Sequence, residues 1–428
     1  MSDGCSRMLA LSRALRKERL AAERGGEPHT GPVLRPDLYY DYAPCGRYPI
    51  IALRTVPCDR YIKGMCLPCA YSARTYVSGI GRETLYASLE HQLEWVLDHF
   101  DEVVARYANG KLEGYQLRQG MPDRPWYTLQ LAGESSFFRD AEIPPAWRRR
   151  ILERLVEFQE QRQINLHLML ECRPEDLLAA HESGELDRLN PLFRLLDVVV
   201  NMGLEYRNDW LRNRLFAKGL DLDIFERAIA VAHIHRLDPG VFVFAGAPVL
   251  TAAEILRETR HTLRYLERQR VFVNLMVPNL QAGTLPNLLW EMGLYELPEP
   301  FFLLDLADLA IEYRPCRPNL VTPFDWFIGG LESDPPPRYT ILNQPRRATS
   351  DALTREIHGV VLDLVTTLDI ATYRARAARL RGHPEAAGWR QAIQRRDARS
   401  WESRLSEILA KLTATDTEGS TLRILHAE

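Results

Sequence analysis

Apolar and polar residues alternate with two different periods along the chain, and this alternation predicts an α/β protein. Short apolar runs of strand length recur from residue 48 onward, and stretches with apolar residues at helical spacing separate them. Strands that alternate with helices in this way lie parallel and are joined by right-handed crossovers. The runs are largely apolar, as in a sheet that is buried on both faces. The six predicted strands are residues 48–53, 127–131, 164–170, 198–202, 241–244 and 271–276.

Helical spacing of apolar residues predicts the segments between and around these strands. Thr251 is expected to cap the helix that follows it, and prolines near residue 144 suit the first turn of another helix. At the N-terminus, Met8, Leu11 and Leu15 recur at helical spacing among basic residues, so this helix is expected to pack on the body of the protein or on a partner. The predicted helices are residues 6–24, 83–107, 144–161, 175–196 in two pieces, 209–236, 251–269, 349–381 and 384–412.

These elements predict a partial (β/α)6 TIM-like barrel with an N-terminal helix and a C-terminal helical cap. The predicted domains are an N-terminal helical extension and connector over residues 1–47, the barrel core over residues 48–300, and an irregular segment with the cap over residues 301–428. Residues 313–345 are rich in Pro and Gly, so this stretch is interpreted as either a lid or a domain junction.

Composition limits the classes of function. The chain has 428 residues, of which 46% are apolar, and its net charge of −3 gives no electrostatic case for binding of nucleic acid or a membrane by the whole chain. No apolar run reaches about 18 residues, so no membrane span is expected. Seven cysteines without a secretory signal indicate a reducing compartment, and a cytoplasmic location is expected.

Three cysteines follow the first predicted strand. Cys58, Cys66 and Cys69 are separated by seven and by two residues. Three thiolates with no fourth cysteine close by suit a metal centre with one open coordination position, and an iron–sulfur cluster with one iron free for a co-substrate is the leading interpretation. The alternatives are a zinc site completed by a remote residue, such as His29 or Cys45, and unligated thiols.

A glycine and a glutamate follow the second predicted strand. In parallel α/β folds, ligand sites lie at the carboxyl ends of the strands, so these positions and the cysteines belong to the same rim. Gly133 lets a ligand approach the backbone closely, and Glu134 beside it would hold an ammonium group. The alternative for Glu134 is a solvated carboxylate at a helix N-terminus.

Charged residues also follow the next two predicted strands. Glu171 and Arg173 either clamp the charged groups of an amino acid or pair with each other. Glu205 either accepts hydrogen bonds from a ribose diol or forms an ion pair with Arg207 or Arg212. Both pairs of alternatives stay open at the level of the sequence.

The cysteine loop resembles that of the radical S-adenosylmethionine (SAM) enzymes. In that superfamily, three cysteines after the first strand bind a [4Fe–4S] cluster, and its fourth iron chelates SAM. An electron from the cluster cleaves SAM to methionine and a 5′-deoxyadenosyl radical, which abstracts a hydrogen atom from the substrate. The resemblance therefore implies these two cofactors, an external electron donor of the flavodoxin or ferredoxin type, and a barrel of the radical SAM type.

The spacing of the cysteines is similar to that of a narrower group, the archaeosine-synthase-type radical SAM proteins. The superfamily spacing is usually C-x3-C-x2-C, whereas this group has a loop of the form L-R-T-x-x-C-x7-C-x2-C-x-Y. The matching residues here are Leu53, Arg54, Thr55, Cys58, Cys66, Cys69 and Tyr71. Further similar stretches are residues 136–144, 171–175, 203–205 with 218–219, and 274–285. The resemblance covers about residues 48–300.

The resemblance implies a role for each matching residue. It assigns the cluster to Cys58, Cys66 and Cys69. It places Tyr71 beside the adenine of SAM. The other implied contacts with SAM are Gly133, Glu134, Ser135, Glu171, Arg173 and Glu205.

Two departures from the group bear on the substrate. A Lys-Pro-Pro-like turn of the group reads Gly246-Ala247-Pro248 here, and only Cys316 remains where archaeosine-type proteins have C-terminal cysteine pairs. With the acidic net charge, these departures favour a radical enzyme that modifies a small-molecule, amino-acid or nucleoside-type substrate in a biosynthetic step, rather than nucleic acid. The alternatives are modification of a tRNA base together with a partner protein and a non-catalytic zinc-binding α/β protein.

Overall fold

A seven-stranded sheet forms the centre of the protein. The computed structural model describes residues 3–23, 32–43, 46–69, 80–107, 121–133, 136–281, 283–313, 339–342 and 344–414. Within these ranges, the last six strands of the sheet run parallel and follow one another in sequence order. They are β2 (Gly46–Ala52), β3 (Trp126–Ala132), β4 (Asn165–Cys172), β5 (Asp197–Glu205), β6 (Asp238–Phe244) and β7 (Phe272–Met276). The predicted partial (β/α)6 arrangement is therefore confirmed.

The first strand of the sheet was not predicted. Strand β1 (Asp37–Ala43) pairs antiparallel with β2, from Asp37 opposite Ala52 to Ala43 opposite Gly46. This segment belongs to residues 29–44, which were predicted to be a connector because they are polar and rich in Pro and Tyr. Its tyrosines nevertheless favour a strand, and a strand at this position covers the edge of β2 that the parallel order leaves unpaired.

Helices follow the parallel strands, as the alternation requires. They are α2 (Asp59–Ile62), α3 (Arg82–Asp98), α4 (Phe100–Tyr107), α5 (Pro145–Arg162), α6 (Pro174–Glu182), α7 (Glu185–Phe193), α8 (Leu222–Ile234) and α9 (Ala252–Leu266). The predicted helix over residues 83–107 is broken after Asp98, and the predicted helix over residues 209–236 begins with a separate π-helical turn (Trp210–Leu215). Thr251 caps α9 as predicted, because it forms a reciprocal capping box with Glu254.

The helical cap contains more helices than the sequence predicted. The helices after the barrel are α10 (Leu285–Glu291), α11 (Phe302–Glu312), α12 (Asp351–Thr367), α13 (Ile370–Arg381), α14 (Ala386–Ala392) and α15 (Trp401–Ala414), and a short ribbon joins β8 (Asn279–Leu280) to β9 (Tyr339–Thr340). The predicted helix over residues 349–381 ends at Leu368, which is left-handed with φ of 60°, and Asp369 then caps α13. The predicted helix over residues 384–412 is likewise two helices.

The N-terminal helix and the cap pack on the barrel and share its core. Met8 and Leu11 of α1 (Asp3–Glu23) are buried in the same apolar cluster as Leu405 and Leu409 of α15. The expectation that this helix packs on the body of the protein is therefore confirmed. The predicted domain limits at residues 47 and 300 stay a prediction, since a shared core does not divide the chain there. No helix in the described ranges is long and apolar enough to span a membrane.

A buried ion pair fastens the cap to the barrel. Arg404 of α15 donates two hydrogen bonds to the carboxylate of Glu254 in α9, over 2.7 and 2.6 Å, and a third to the carbonyl oxygen of Val249 over 2.9 Å. Burial by itself raises the pKa of Glu254, but the hydrogen bonds from Arg404 and from the backbone of Thr251 lower this pKa to about 2. Glu254 is therefore ionised at neutral pH and needs its partner.

Arg404→Met is expected to lower the free energy of unfolding by about 3–5 kcal/mol, because it leaves the carboxylate of Glu254 buried without its counter-ion. Urea denaturation at pH 7 measures this change. The control is Lys411→Met on the same helix, which removes an exposed ion pair with Glu407 and should change stability by less than about 1 kcal/mol. Equal effects of the two substitutions would contradict the anchoring role of Arg404.

Candidate active site

A cavity of about 190 Å³ lies at the carboxyl ends of the parallel strands. Side chains from the cysteine loop and from the ends of β3 to β7 line it, which is where parallel α/β folds bind their ligands. The predicted site residues that line this cavity are Cys58, Cys66, Cys69, Gly133, Glu171, Arg173 and Glu205. The three other predicted residues, which are Tyr71, Glu134 and Ser135, lie outside the described part of the chain.

The cysteine loop has a local structure that accounts for its long spacing. The residues between Cys58 and Cys66 form the single turn α2, whose last amide donates to the carbonyl oxygen of Cys58 over 3.1 Å. Cys66 is left-handed with φ of 53°, and the amide of Cys69 donates to its carbonyl oxygen over 2.9 Å. This tight turn brings the last two cysteines to the same side of the loop, while the extra helical turn returns the chain to Cys58.

The start of the loop is held from the neighbouring helix α3. Gln92, which is fully buried, accepts a hydrogen bond from the amide of Arg54 over 2.8 Å and donates one to the carbonyl oxygen of Arg54 over 3.1 Å. The side-chain amide thus replaces a strand partner at the point where β2 ends. Its two hydrogen bonds satisfy the amide and the carbonyl group of Arg54, which would otherwise lack a partner beyond the end of the strand.

The stretch after β3 ties the loop to the rest of the rim. Arg139 donates to the carboxylate of Asp59 at the start of α2 over 2.5 Å, and this bond lowers the pKa of Asp59 well below its usual range. Ser136 accepts a hydrogen bond from the amide of Arg173 over 3.1 Å, and Phe137 donates its amide to the carbonyl oxygen of Glu171 over 2.8 Å. These bonds join the ends of β3 and β4 to the cysteine loop.

The three thiols and a charged guanidinium line the same cavity. Cys58 is buried, and Cys66 and Cys69 are partly exposed toward the cavity. Burial of Arg173 lowers its pKa, but neighbouring acidic groups, including Glu175, outweigh this effect and raise the pKa above its usual range. The guanidinium therefore stays charged beside the thiols. A fixed cation lowers the free energy of a neighbouring thiolate, which is the form that binds iron.

The donor set fits an iron–sulfur cluster. Within the described ranges, no three His, Cys, Asp or Glu side chains converge closely enough to hold one metal ion. In a cluster of several irons, however, each thiolate binds a different iron, so its ligands need not meet at one point. Cys58, Cys66 and Cys69 around one cavity supply such a set of thiolates.

Arg173 and Glu171 do not pair with each other. Arg173 occupies the N-cap position of α6 without a capping bond from its side chain. That side chain donates to Glu175 over 2.8 Å and to the carbonyl oxygen of Lys218 over 3.3 Å. Glu171 is still inside β4 and accepts a hydrogen bond from Gln130 over 2.7 Å. The alternative that these two residues pair with each other is wrong, because the end of β4 separates an inward-facing residue from one on the rim.

Glu171 lies inside the barrel in a chain of polar side chains. Tyr48 on β2 lies 3.4 Å from Gln130 on β3, which in turn reaches Glu171 on β4. Burial raises the pKa of Glu171 to about 7, against a lowering by the bond from Gln130. Near neutral pH, the carboxyl group is therefore able to hold or release a proton inside the cavity.

Glu205 forms an ion pair with a residue that the sequence analysis did not consider as its partner. Lys218 lies 2.5 Å from its carboxylate, so the expectation of a pair with Arg207 or Arg212 is wrong. A β-bulge between Gly203 and Glu205 turns this carboxylate over the strand. A side chain at Gly203 would place its Cβ 2.2 Å from the ammonium nitrogen of Lys218, so Lys218 would have to move from its present place beside Glu205.

The residues that line the cavity from β5, β6, β7 and the segment after β7 were not among the predicted site residues. They are Asn201, Phe242, Phe244, Met276, Asn279 and Gln281. Several of them follow from the strand period: Asn201 lies two residues before Gly203, and Phe242 lies two before Phe244, so each pair shares the inward face. Counting back in twos from each strand end would have identified them.

The chain has weak but consistent likeness to known proteins, and no family model matches it. An uncharacterized protein of Methanocaldococcus jannaschii is 21% identical over 289 residues, which are 67% of this chain and 69% of that protein. Archaeosine synthase subunit beta of Thermococcus kodakarensis is 22% identical over 276 residues, which are 63% of this chain and 72% of that protein. The chain resembles archaeosine synthase subunit beta. This likeness confirms the resemblance that the cysteine spacing indicated.

Solved structures give a fold comparison. Coproporphyrinogen III oxidase from Escherichia coli, described as a radical SAM enzyme, aligns with 15% identity and a TM-score of 0.35. The alignment covers 64% of this chain and 52% of the oxidase, so the chain spans about half the length of that enzyme.

Glu171→Gln is expected to remove a pH dependence of stability near neutrality. The folded-state pKa of about 7 lies above the value of 4.5 for an unperturbed glutamate, so the stabilisation by the protonated group is complete below about pH 4.5 and lost as the pH rises through 7. The loss amounts to at most about 3 kcal/mol, because part of the side chain faces the cavity. Urea denaturation between pH 5 and 8 measures it.

The control is Glu102→Gln on the exposed face of α4, which should keep the pH dependence of the native protein. If Glu171→Gln also keeps it, Glu171 is ionised throughout this range and the assigned pKa is wrong.

Proposed function

We propose that this protein is a radical SAM enzyme that holds a [4Fe–4S] cluster and SAM. The observation that carries the proposal is the meeting of Cys58, Cys66 and Cys69 with Gly133 and Glu205 around one cavity at the carboxyl ends of the strands. Three thiolates leave one coordination position of a four-iron cluster open, and the groups across the cavity face that position from the other strands. When bound, the cluster supplies an electron that cleaves SAM and generates the radical.

The residues of this chain bind and orient the two cofactors. Cys58, Cys66 and Cys69 would hold the cluster, and Gly133 allows close approach of a ligand to the end of β3. Glu205 keeps one carboxylate oxygen beyond the ion pair with Lys218, and this oxygen would accept hydrogen bonds from a polar group of SAM. Contacts from Tyr71, Glu134 and Ser135, and from Arg173 and Glu171, stay predictions that the resemblance implies.

The substrate is proposed to be a small molecule, an amino acid or a nucleoside-type compound. Among the described residues that line the cavity, the charged groups Arg173, Glu205 and Lys218 are engaged in ion pairs near the rim. The lining from β5 and β6 carries an amide and an aromatic ring, those of Asn201 and Phe242. This part of the cavity suits a group of modest size and no net charge, and an external flavodoxin- or ferredoxin-type protein would deliver the electron.

Iron and sulfide should bind the native protein and fail to bind a Cys58→Ala, Cys66→Ala, Cys69→Ala variant. Anaerobic reconstitution is expected to give a brown protein with broad visible absorbance and equal amounts of iron and sulfide. The matched control is Cys172→Ala. Burial and neighbouring carboxylates raise the pKa of Cys172 well above its usual range, so it remains a neutral thiol and its loss should not remove iron.

The same experiment separates the enzyme from a zinc-binding protein. Stoichiometric zinc without iron in the native protein would support the zinc alternative and reject the cluster. If the cluster forms, incubation with SAM and dithionite should yield 5′-deoxyadenosine, or 5′-methylthioadenosine if another sulfur–carbon bond breaks. A loaded protein that leaves SAM intact would reject the proposed reaction while retaining the metal centre.

Modification of a tRNA base, together with a partner protein, is the second candidate. The relative in Thermococcus kodakarensis is named as a subunit of archaeosine synthase, and this name favours an assembly for that protein. The net charge of −3 of the present chain argues against strong binding of RNA by this chain alone.

The protein is expected to pass through a heparin column without retention at about 0.15 M salt, because its net charge of −3 gives no overall attraction to a polyanion. Elution across a salt gradient measures this. Retention that falls steeply with salt, and that a tRNA competitor abolishes, would instead favour the RNA substrate.

A further inference from the structure

The N-terminal helix α1 reaches the cysteine loop through one buried arginine. Arg16 is 3% exposed, and its guanidinium donates hydrogen bonds to the carbonyl oxygens of Tyr61, Met65, Cys66 and Cys69. The bonds to Met65, Cys66 and Cys69 span 2.9, 3.2 and 3.2 Å. One planar cation therefore binds a carbonyl group of α2 and three carbonyl groups from the second half of the loop, including those of two of the three cysteines.

The remaining contacts fix the position of this guanidinium. It lies over the ring of Tyr61, 4.1 Å from the ring centre. Where the helix crosses the loop, Gly64 is left-handed with φ of 77°, and a Cβ there would lie 2.5 Å from Cγ and 3.1 Å from the amide nitrogen of Arg13. The loop and the helix backbone thus lie in close contact at Gly64 and Arg13, one turn of α1 before Arg16.

Within the described part of the chain, no ion pair joins the guanidinium of Arg16 to an Asp or Glu side chain. Burial lowers the pKa of Arg16. A buried cation without a counter-ion is costly, and the carbonyl oxygens of the loop are the groups that stabilise it.

We propose that Arg16 is a positioning residue for the three-cysteine loop and that its buried charge favours the more negative, reduced state of the cluster held there. The positioning role applies to the protein without a cluster, because Arg16 contacts the carbonyl groups of the loop directly. The second part rests on the proposed function. A cation at a fixed place behind the loop interacts more favourably with each added electron, so it raises the reduction potential.

Amide hydrogen exchange in the metal-free protein tests the first part. Arg16→Met should accelerate exchange over residues 58–69 by at least about tenfold, because several charge-assisted hydrogen bonds are lost together. Lys17→Met, which removes an exposed cation from the next position of the same helix, should leave this exchange unchanged. Unchanged exchange in Arg16→Met would overturn the positioning role.

The reduction potential of the reconstituted cluster tests the second part. In an electron paramagnetic resonance titration, Arg16→Met should lower the midpoint potential and speed the loss of iron to a chelator, whereas Lys17→Met should leave both as in the native protein. Arg16→Lys keeps the charge without the planar fork, so it should restore the potential but not the slow iron loss. A midpoint potential in Arg16→Met equal to that of the native protein would overturn the electrostatic role.

The two proposals fail in different ways. If the native protein binds no iron and sulfide, the proposed function is wrong, and the hydrogen-exchange result still decides whether Arg16 holds the loop. If the native protein binds the cluster and Arg16→Met behaves identically in both measurements, the proposed function stands and the role of Arg16 is rejected.

Discussion

The loop that carries the three cysteines must satisfy its own backbone without a strand or a disulfide beside it. Every amide and carbonyl group that leaves the sheet after β2 needs a new partner, and an unpaired buried group is costly. Side chains supply these partners: Gln92 holds both backbone groups of Arg54, and Arg16 collects carbonyl oxygens from the second half of the loop. The direction in which the thiols point depends on these contacts.

The same constraint explains why the rim is rich in paired charges. Asp59 at the start of α2 is held by Arg139, and Lys218 bonds Glu205 while its own carbonyl oxygen accepts a bond from Arg173. Each pair links a different strand end, so the strand ends keep their relative positions while the centre of the cavity stays open. The pairing also removes free charge from the rim. Arg16 contacts the same loop and does not line the cavity, and it has no Asp or Glu ion pair in the described part of the chain.

The sequence predicted the parallel strands because their signal is local. Apolar runs such as those of β4 and β5 are readable from a few neighbouring residues, and the rim residues follow because they come directly after those runs. Strand β1 was missed because Asp37 and Asp41 hide its alternation, and the pairing that stabilises it is formed with β2. Helix breaks at residues such as Leu368 depend on a single left-handed residue that is not a glycine, for which the sequence carries no clear signal.

Side-chain pairing was much harder to predict than position. Glu171 was placed correctly at the strand end, but its partner proved to be Gln130 on the neighbouring strand, and this contact depends on the register of β3 against β4. Arg16 carried even less signal, since an arginine among basic residues on an amphipathic helix is usually solvated. A retrospective clue is its spacing, because Met8 and Ser12 lie eight and four residues before it on one helix face and are both buried.

Helices α1 and α15 contact each other beside the cysteine loop, and this contact gives them a common role. Met8 of α1, Leu67 of the loop, and Leu405 of α15 line one small apolar gap. The ion pair between Arg404 and Glu254 holds α15 against the barrel, so α15 in turn supports α1, and α1 places Arg16. The cap and the N-terminal helix therefore form one brace from the outer surface of the barrel to the loop. A guanidinium must be held closely to keep several carbonyl contacts at once. Loss of the contacts of α15 would therefore change the position of the cysteines, even though none of the described residues of the cap lines the cavity.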